Sequence, residues 1–393
     1  MAVQTGFDHL VNERFESWRG RRVAIVCNQA SVSSDLEHLL FAAQRFQADA
    51  GFEIICAFGP QHGIWGHTQD NMIEWEGYRD DVTGITFYSL YGSHREPTPE
   101  MLAGVDLLVF DVQDVGARYY TFVWTLFYCM KQCEQLGIEI QILDRPNPVG
   151  GVHVEGALVD EGWESFVGLA PLPMRHGMTV GEVANYFQSR YYPGINHLVK
   201  QMSSWSRDML FPETGLPWVI PSPNMPSPDT ALVYPGMCLI EGTKMSEGRG
   251  TTKPFEMFGA PYLKEHAFTD ELNQLGLPGA KFRPIAFQPT FQKCVGMVCG
   301  GSQIHVTDRD AFRPVRTTMA ILQTVIRFSQ GQFQWQDPPY EYEYHKRPID
   351  ILMGNDWLAD AIWNQEDIDT IMGRLDQSCL EFEEWRNPAL IYA

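Results

Sequence analysis

The chain is 393 residues long with 44% hydrophobic and 20% charged residues, an ordinary globular composition and more chain than one core usually holds, so two domains are expected. Forty-nine acidic against 29 basic residues give a formal net charge of −20, which leaves no basic footprint for nucleic acid or an anionic membrane surface. No apolar run reaches the about eighteen residues of a membrane span, and the first residues, MAVQTGFDHLV, lack the basic and apolar regions of a signal peptide; as it stands the chain is expected in the cytoplasm, or in the periplasm or secreted if a leader has been trimmed.

In chain order, apolar runs at residues 23–27, 53–58, 86–90, 107–110 and 138–143 are too short for helices and read as strands. Helical stretches at 36–48 and 122–136 lie between them, and this alternation predicts an α/β fold, a doubly wound parallel sheet covered on both faces. Thr179 and Glu182 form a capping box that opens a helix over 180–188. Residues 198–202 read as a sixth strand, and the proline-rich 216–229 as an ordered extended loop. A boundary near 235 divides residues 1–235 from residues 236–393, where further helices read at 313–328, 357–362 and 368–385. Tyr340, Tyr342 and Tyr344 alternate with Glu341 and Glu343, as in an edge strand or an aromatic strip facing a sugar. The eight cysteines show no CxxC or zinc-like spacing and read mostly as buried small hydrophobes, so no metal and no cofactor is expected.

The strands exit into polar or turn-forming residues, and in open α/β sheets ligands bind beyond the carboxyl ends of the strands, so these exits define one candidate pocket. No GxGxxG or P-loop follows a strand, which weakens nucleotide readings. Gln61 and His62 leave the second run, and His62 can shuttle a proton. Asp111 and Asp114 run directly into Arg118, Tyr119 and Tyr120, which brings carboxylates, a guanidinium and aromatic faces into one loop. Asp144 and Arg145 precede Asn147 between two prolines, and His176 precedes the capped helix. Asn224 sits between Pro223 and Met225, while Glu241, Glu247 and Arg249 lie among small residues that permit close backbone approach to a ligand. Each also has a structural reading: Asp111–Arg118 and Asp144–Arg145 can be pairs that pin turns, and either histidine can simply satisfy a loop.

Seven ordered segments, FGPQHG (58–63), TGITFYSLYG (83–92), FDVQDVGARYYTF (110–122), LDRPNPVGG (143–151), RHGMTVGE (175–182), PSPNMP (221–226) and IEGTKMSEGRGTTKPF (240–255), resemble the NamZ family of exo-acting β-N-acetylmuramidases. The resemblance implies a Rossmann-like domain, a smaller α+β C-terminal domain that completes the cleft, and release of N-acetylmuramic acid from non-reducing ends of bacterial peptidoglycan fragments. The family usually carries glutamate where this chain has Gln61, and arginine where it has Trp65. An amide has no titratable proton, so Gln61 can orient but cannot serve as acid or base.

The expected catalytic set is Gln61, His62, Asp111, Asp114 and Glu241, and the expected substrate contacts are Arg118, Tyr119, Asp144, Asn147, His176, Asn224, Glu247 and Arg249. Arg118 or Arg249 would clamp the lactyl carboxylate that distinguishes muramic acid from glucosamine. Three activities stay open on the residues alone: an exo-glycosidase, a lyase that breaks the same bond by elimination, and a non-catalytic muropeptide-binding protein. The partner expected is a peptidoglycan-derived saccharide, with the oligomeric state undetermined.

Overall fold

The computed structural model describes residues 2–70 and 72–393. Strands β1 (Arg22–Cys27), β2 (Glu53–Gly59), β3 (Tyr78–Arg79), β4 (Thr86–Ser89), β5 (Leu107–Asp111), β6 (Glu139–Leu143) and β7 (His197–Lys200) form one sheet in the order β3-β4-β2-β1-β5-β6-β7. The two-residue β3 is antiparallel on β4, and the other pairings are parallel. Without β3 the order is that of the doubly wound Rossmann fold, with its reversal between β1 and β5. β5 is buried at every residue and β1 at every residue but Arg22, as a sheet covered on both faces requires.

All six expected strands are present, with ends displaced by two residues or fewer. The helix expected from residue 36 begins later, at Leu39–Ala50, because the His38 side chain caps it by accepting from Leu40 N. The Thr179–Glu182 capping box is formed, and its helix runs over Val180–Arg190. Helices Gly6–Asn12, Pro228–Met237, Glu265–Gln274 and Pro348–Met353 were not legible in the periodicity. The helix Pro228–Met237 shows why: it is buried from Thr230 to Met237, so it has no polar face to give a period of 3.6.

A second sheet, β8 (Met257–Ala260), β9 (Ala280–Phe287) and β10 (Cys299–Val306), is antiparallel in the order β8-β10-β9. One apolar core runs through both sheets, from Phe7 to Ala389. At their junction the helices Pro228–Met237 and Pro314–Phe328 come so close that a Cβ on Gly236 would lie 2.0 Å from the Pro314 carbonyl oxygen. The chain end returns to the first sheet, where the Tyr392 hydroxyl donates to Asp144 at 2.6 Å.

The edge strand expected over 340–344 is a tight turn. Tyr340 and Glu343 exchange backbone hydrogen bonds, and the two residues between them, Glu341 and Tyr342, take φ of 44° and 67°. Alternation of two residue types fits such a turn as well as a strand, and here it turns Glu341 inward to 3% exposure.

Candidate active site

Four chain segments, the turn at 340–341 and Val167 line one pocket. Gln61 and His62 come from the exit of β2, Tyr119 to Phe122 from the loop after β5, Ser222 to Met225 from the proline-rich loop, and Tyr234, Glu241, Arg249 and Phe255 from the passage into the second sheet. Three of the pocket residues, His62, Phe255 and Glu341, have positive φ of 71°, 63° and 44°. Such conformations cost of order 1–3 kcal/mol each and cluster where function fixes them.

On one wall Arg249 Nη2 donates to Glu241 Oε1 at 2.6 Å, and the Tyr340 hydroxyl donates to Glu241 Oε2 at 2.5 Å. Burial alone would raise the Glu241 carboxyl, but Arg249 and the Tyr340 hydroxyl pull it below its ordinary value. Behind this pair Glu247 lies 3.4 Å from Arg249 Nε and 2.7 Å from Lys293 Nζ. Gly250 fixes the geometry: at φ of 76°, a Cβ there would meet Phe291 N at 2.7 Å and Thr290 N at 2.8 Å.

On the other wall Gln61 Nε2 donates to Glu341 Oε1 at 3.1 Å, and the Tyr91 hydroxyl donates to Glu341 Oε2 at 2.8 Å. Burial, only partly offset by these donors, pushes the Glu341 carboxyl up to about 7. His62 Nδ1 faces the Thr68 carbonyl oxygen at 2.8 Å, so that nitrogen carries the proton and Nε2 is the acceptor. Burial lowers this imidazole to about 4, which speaks against the expected role of His62 as a proton shuttle near neutral pH.

Of the expected residues, the pocket gathers Gln61, His62, Tyr119, Asn224, Glu241 and Arg249. Asp111, Asp114, Arg118, Asp144, Asn147, His176 and Glu247 do not line it, and each has internal partners. Arg145 holds Asp111 through two hydrogen bonds, at 2.5 and 2.8 Å. Asp114 accepts from Gly116 N at 2.6 Å and lies 3.2 Å from His176 Nε2. Arg118 donates to the carbonyls of Ala157, Leu172 and Leu352 at 2.6, 2.8 and 2.6 Å, so it stitches the chain together and is not the expected carboxylate clamp. Asp144 accepts from Thr179, Gly181 and Tyr392, and burial raises it to about 6. Asn147 bridges Met178 O and Val149 N.

The pocket residues that sequence reasoning missed include Thr121, Tyr234, Phe255, Tyr340 and, above all, Glu341. The Tyr-Glu alternation drew notice to the right segment, but nothing local signals that one glutamate is buried. Among the described residues, no three His, Cys, Asp or Glu side chains are grouped to hold a metal ion, and no helix is long and apolar enough to cross a membrane.

Comparison with known proteins adds an independent line. The family models described as exo-beta-N-acetylmuramidase NamZ, N-terminal and C-terminal, match residues 23–229 and 232–392. The peptidoglycan beta-N-acetylmuramidase NamZ of Bacillus subtilis is 40% identical over 390 residues, covering 99% of this chain and 91% of that protein. Two crystal structures of DUF1343 family proteins from Bacteroides fragilis superpose over 100% of this chain and 99% of their own, with TM-scores of 0.89 and 0.78 at 28% and 25% identity.

Proposed function

Because this chain belongs to the NamZ exo-β-N-acetylmuramidase family, we propose that its pocket releases N-acetylmuramic acid from non-reducing ends of peptidoglycan fragments by hydrolysis. The observation that supports this pocket as the site is a pair of carboxyls held in opposed environments around one space. Arg249 favours the ionised form of Glu241, while burial raises the Glu341 carboxyl to about 7, where it can hold a proton near neutral pH. Glycoside cleavage generally requires one carboxyl in each state.

The pocket's other groups suit the muramic acid ring. Arg249 is the one guanidinium among the described residues that line it, and it takes the lactyl carboxylate in this reading. Asn224 and the His62 Nε2 acceptor serve the acetamido group and a ring hydroxyl, and Tyr119, Tyr120 and Phe255 offer apolar faces. Elimination was attractive because position 61 lacks a carboxyl; Glu341, 3.1 Å from Gln61, removes that ground.

Mass spectrometry of the products from a muramyl disaccharide tests the reading. Free N-acetylmuramic acid carrying the mass of one added water supports it, whereas an unsaturated sugar, or no turnover, rejects it.

A further inference from the structure

Glu341 is the buried titratable group whose surroundings are least explained by folding. Its backbone is held at a φ rare for a side-chain-bearing residue. Its two oxygens receive hydrogen bonds from Gln61 and Tyr91, which come from the exits of β2 and β4. Gln61 is itself oriented: the Thr121 hydroxyl donates to its Oε1 at 2.7 Å, which turns the amide NH₂ toward Glu341. The charged groups on other elements that act on Glu341 are Glu241 and Arg249, and Tyr340 and Tyr342 flank it on its own turn. The protein therefore presents donors to this carboxyl. When Glu341 takes up a proton, a molecule in the pocket is the natural acceptor.

We propose that Glu341 is the acid that protonates the departing glycosidic oxygen, and that Gln61 is a positioning residue that aims it. The assignment rests on the muramidase reading and deepens it. The bond between C1 and the glycosidic oxygen breaks, its electron pair stays on that oxygen, and the oxygen takes the Glu341 proton. One water is consumed: its hydroxyl goes to C1, and its proton replaces the one that Glu341 gave up. Ionised Glu241 faces the positive charge that develops on the ring. The neutral Gln61 avoids a second carboxyl at this place, which would have to share a proton with the first.

The test compares two substrates, a muramyl disaccharide, whose sugar leaving group needs a proton, and 4-nitrophenyl β-N-acetylmuraminide, whose leaving group hardly does. An acid is active when protonated, so in the unmutated enzyme kcat/KM for the disaccharide should fall as pH rises through about 7, while the nitrophenyl substrate keeps its rate. The variant Glu341→Gln should lose roughly a hundredfold or more on the disaccharide and less than about tenfold on the nitrophenyl substrate. Equal losses on both, or an alkaline limb shared by both in the unmutated enzyme, overturn the Glu341 assignment alone. An unmutated enzyme that frees no muramic acid from either substrate overturns the muramidase reading and this assignment with it. The substrate comparison in the unmutated enzyme decides the matter even if the variant does not fold.

Discussion

Two buried polar regions lie side by side at the strand exits, and they behave oppositely. At the reversal between β1 and β5, where doubly wound folds usually bind ligands, Asp111 and Arg145 neutralise each other, and Arg145, Gln113, Pro217 and Trp218 line a second pocket of comparable size. Asp114 with His176, and Asp144 with Thr179 and Tyr392, continue this network. One strand over, beyond β2, lies the pocket with Glu241, Arg249, Gln61 and Glu341. Both regions are rich in buried charged side chains. They differ in that the first settles its charges in pairs that hold the fold, while the second, beside the Arg249–Glu241 pair, keeps a further buried carboxyl, Glu341, whose oxygens receive only uncharged donors. Polarity at a strand exit is thus a poor marker of a site, and opposed titratable groups around a cavity are a better one.

The comparison breaks most easily at Glu241. Replacing it as Glu241→Gln should lower kcat of the folded enzyme on a muramyl disaccharide by on the order of 10²–10⁴, besides the stability lost with the buried Arg249 pair; a small kcat effect would deny the pocket its role. Asp111→Asn should cost stability alone. Breaking a buried pair costs about 3–5 kcal/mol, read from urea unfolding, while kcat of the folded fraction holds, and a folded but inactive variant would move the chemistry to the network.

Arg249→Lys keeps a charge beside Glu241 but loses the planar fork, so muramic acid affinity should drop about tenfold more than glucosamine affinity in calorimetry; equal losses would reject the lactyl clamp. The smallest effect is a shift in a profile. Gln61→Glu brings a second carboxyl to within hydrogen-bonding distance of Glu341, and the pair should hold a shared proton more tightly. The alkaline limb should then move to higher pH, and an unmoved limb would separate Gln61 from proton transfer.

The strands were legible because β1, β5 and β6 are short segments rich in Val, Ile and Leu bounded by polar exits, and the helix Val180–Arg190 because Thr179 and Glu182 sign its start. Gln61, Glu241 and Arg249 were legible through small-residue segments and through resemblance. Glu341 was not, since its contact with Gln61 spans 280 residues and its turn needs positive φ at residues that rarely adopt it. Arg118 was misjudged for a related reason: its partners are backbone carbonyls at 157, 172 and 352, and a sequence shows side chains but not which carbonyls will need donors.

The most direct test of the account is a crystal structure of Glu241→Gln with a muramyl disaccharide bound. The pocket reading predicts the muramyl ring against Phe255 and Tyr120, its lactyl carboxylate on Arg249, and its glycosidic oxygen within hydrogen-bonding distance of Glu341. A sugar bound instead in the crevice of Arg145 and Trp218, with Glu341 out of reach, would contradict it.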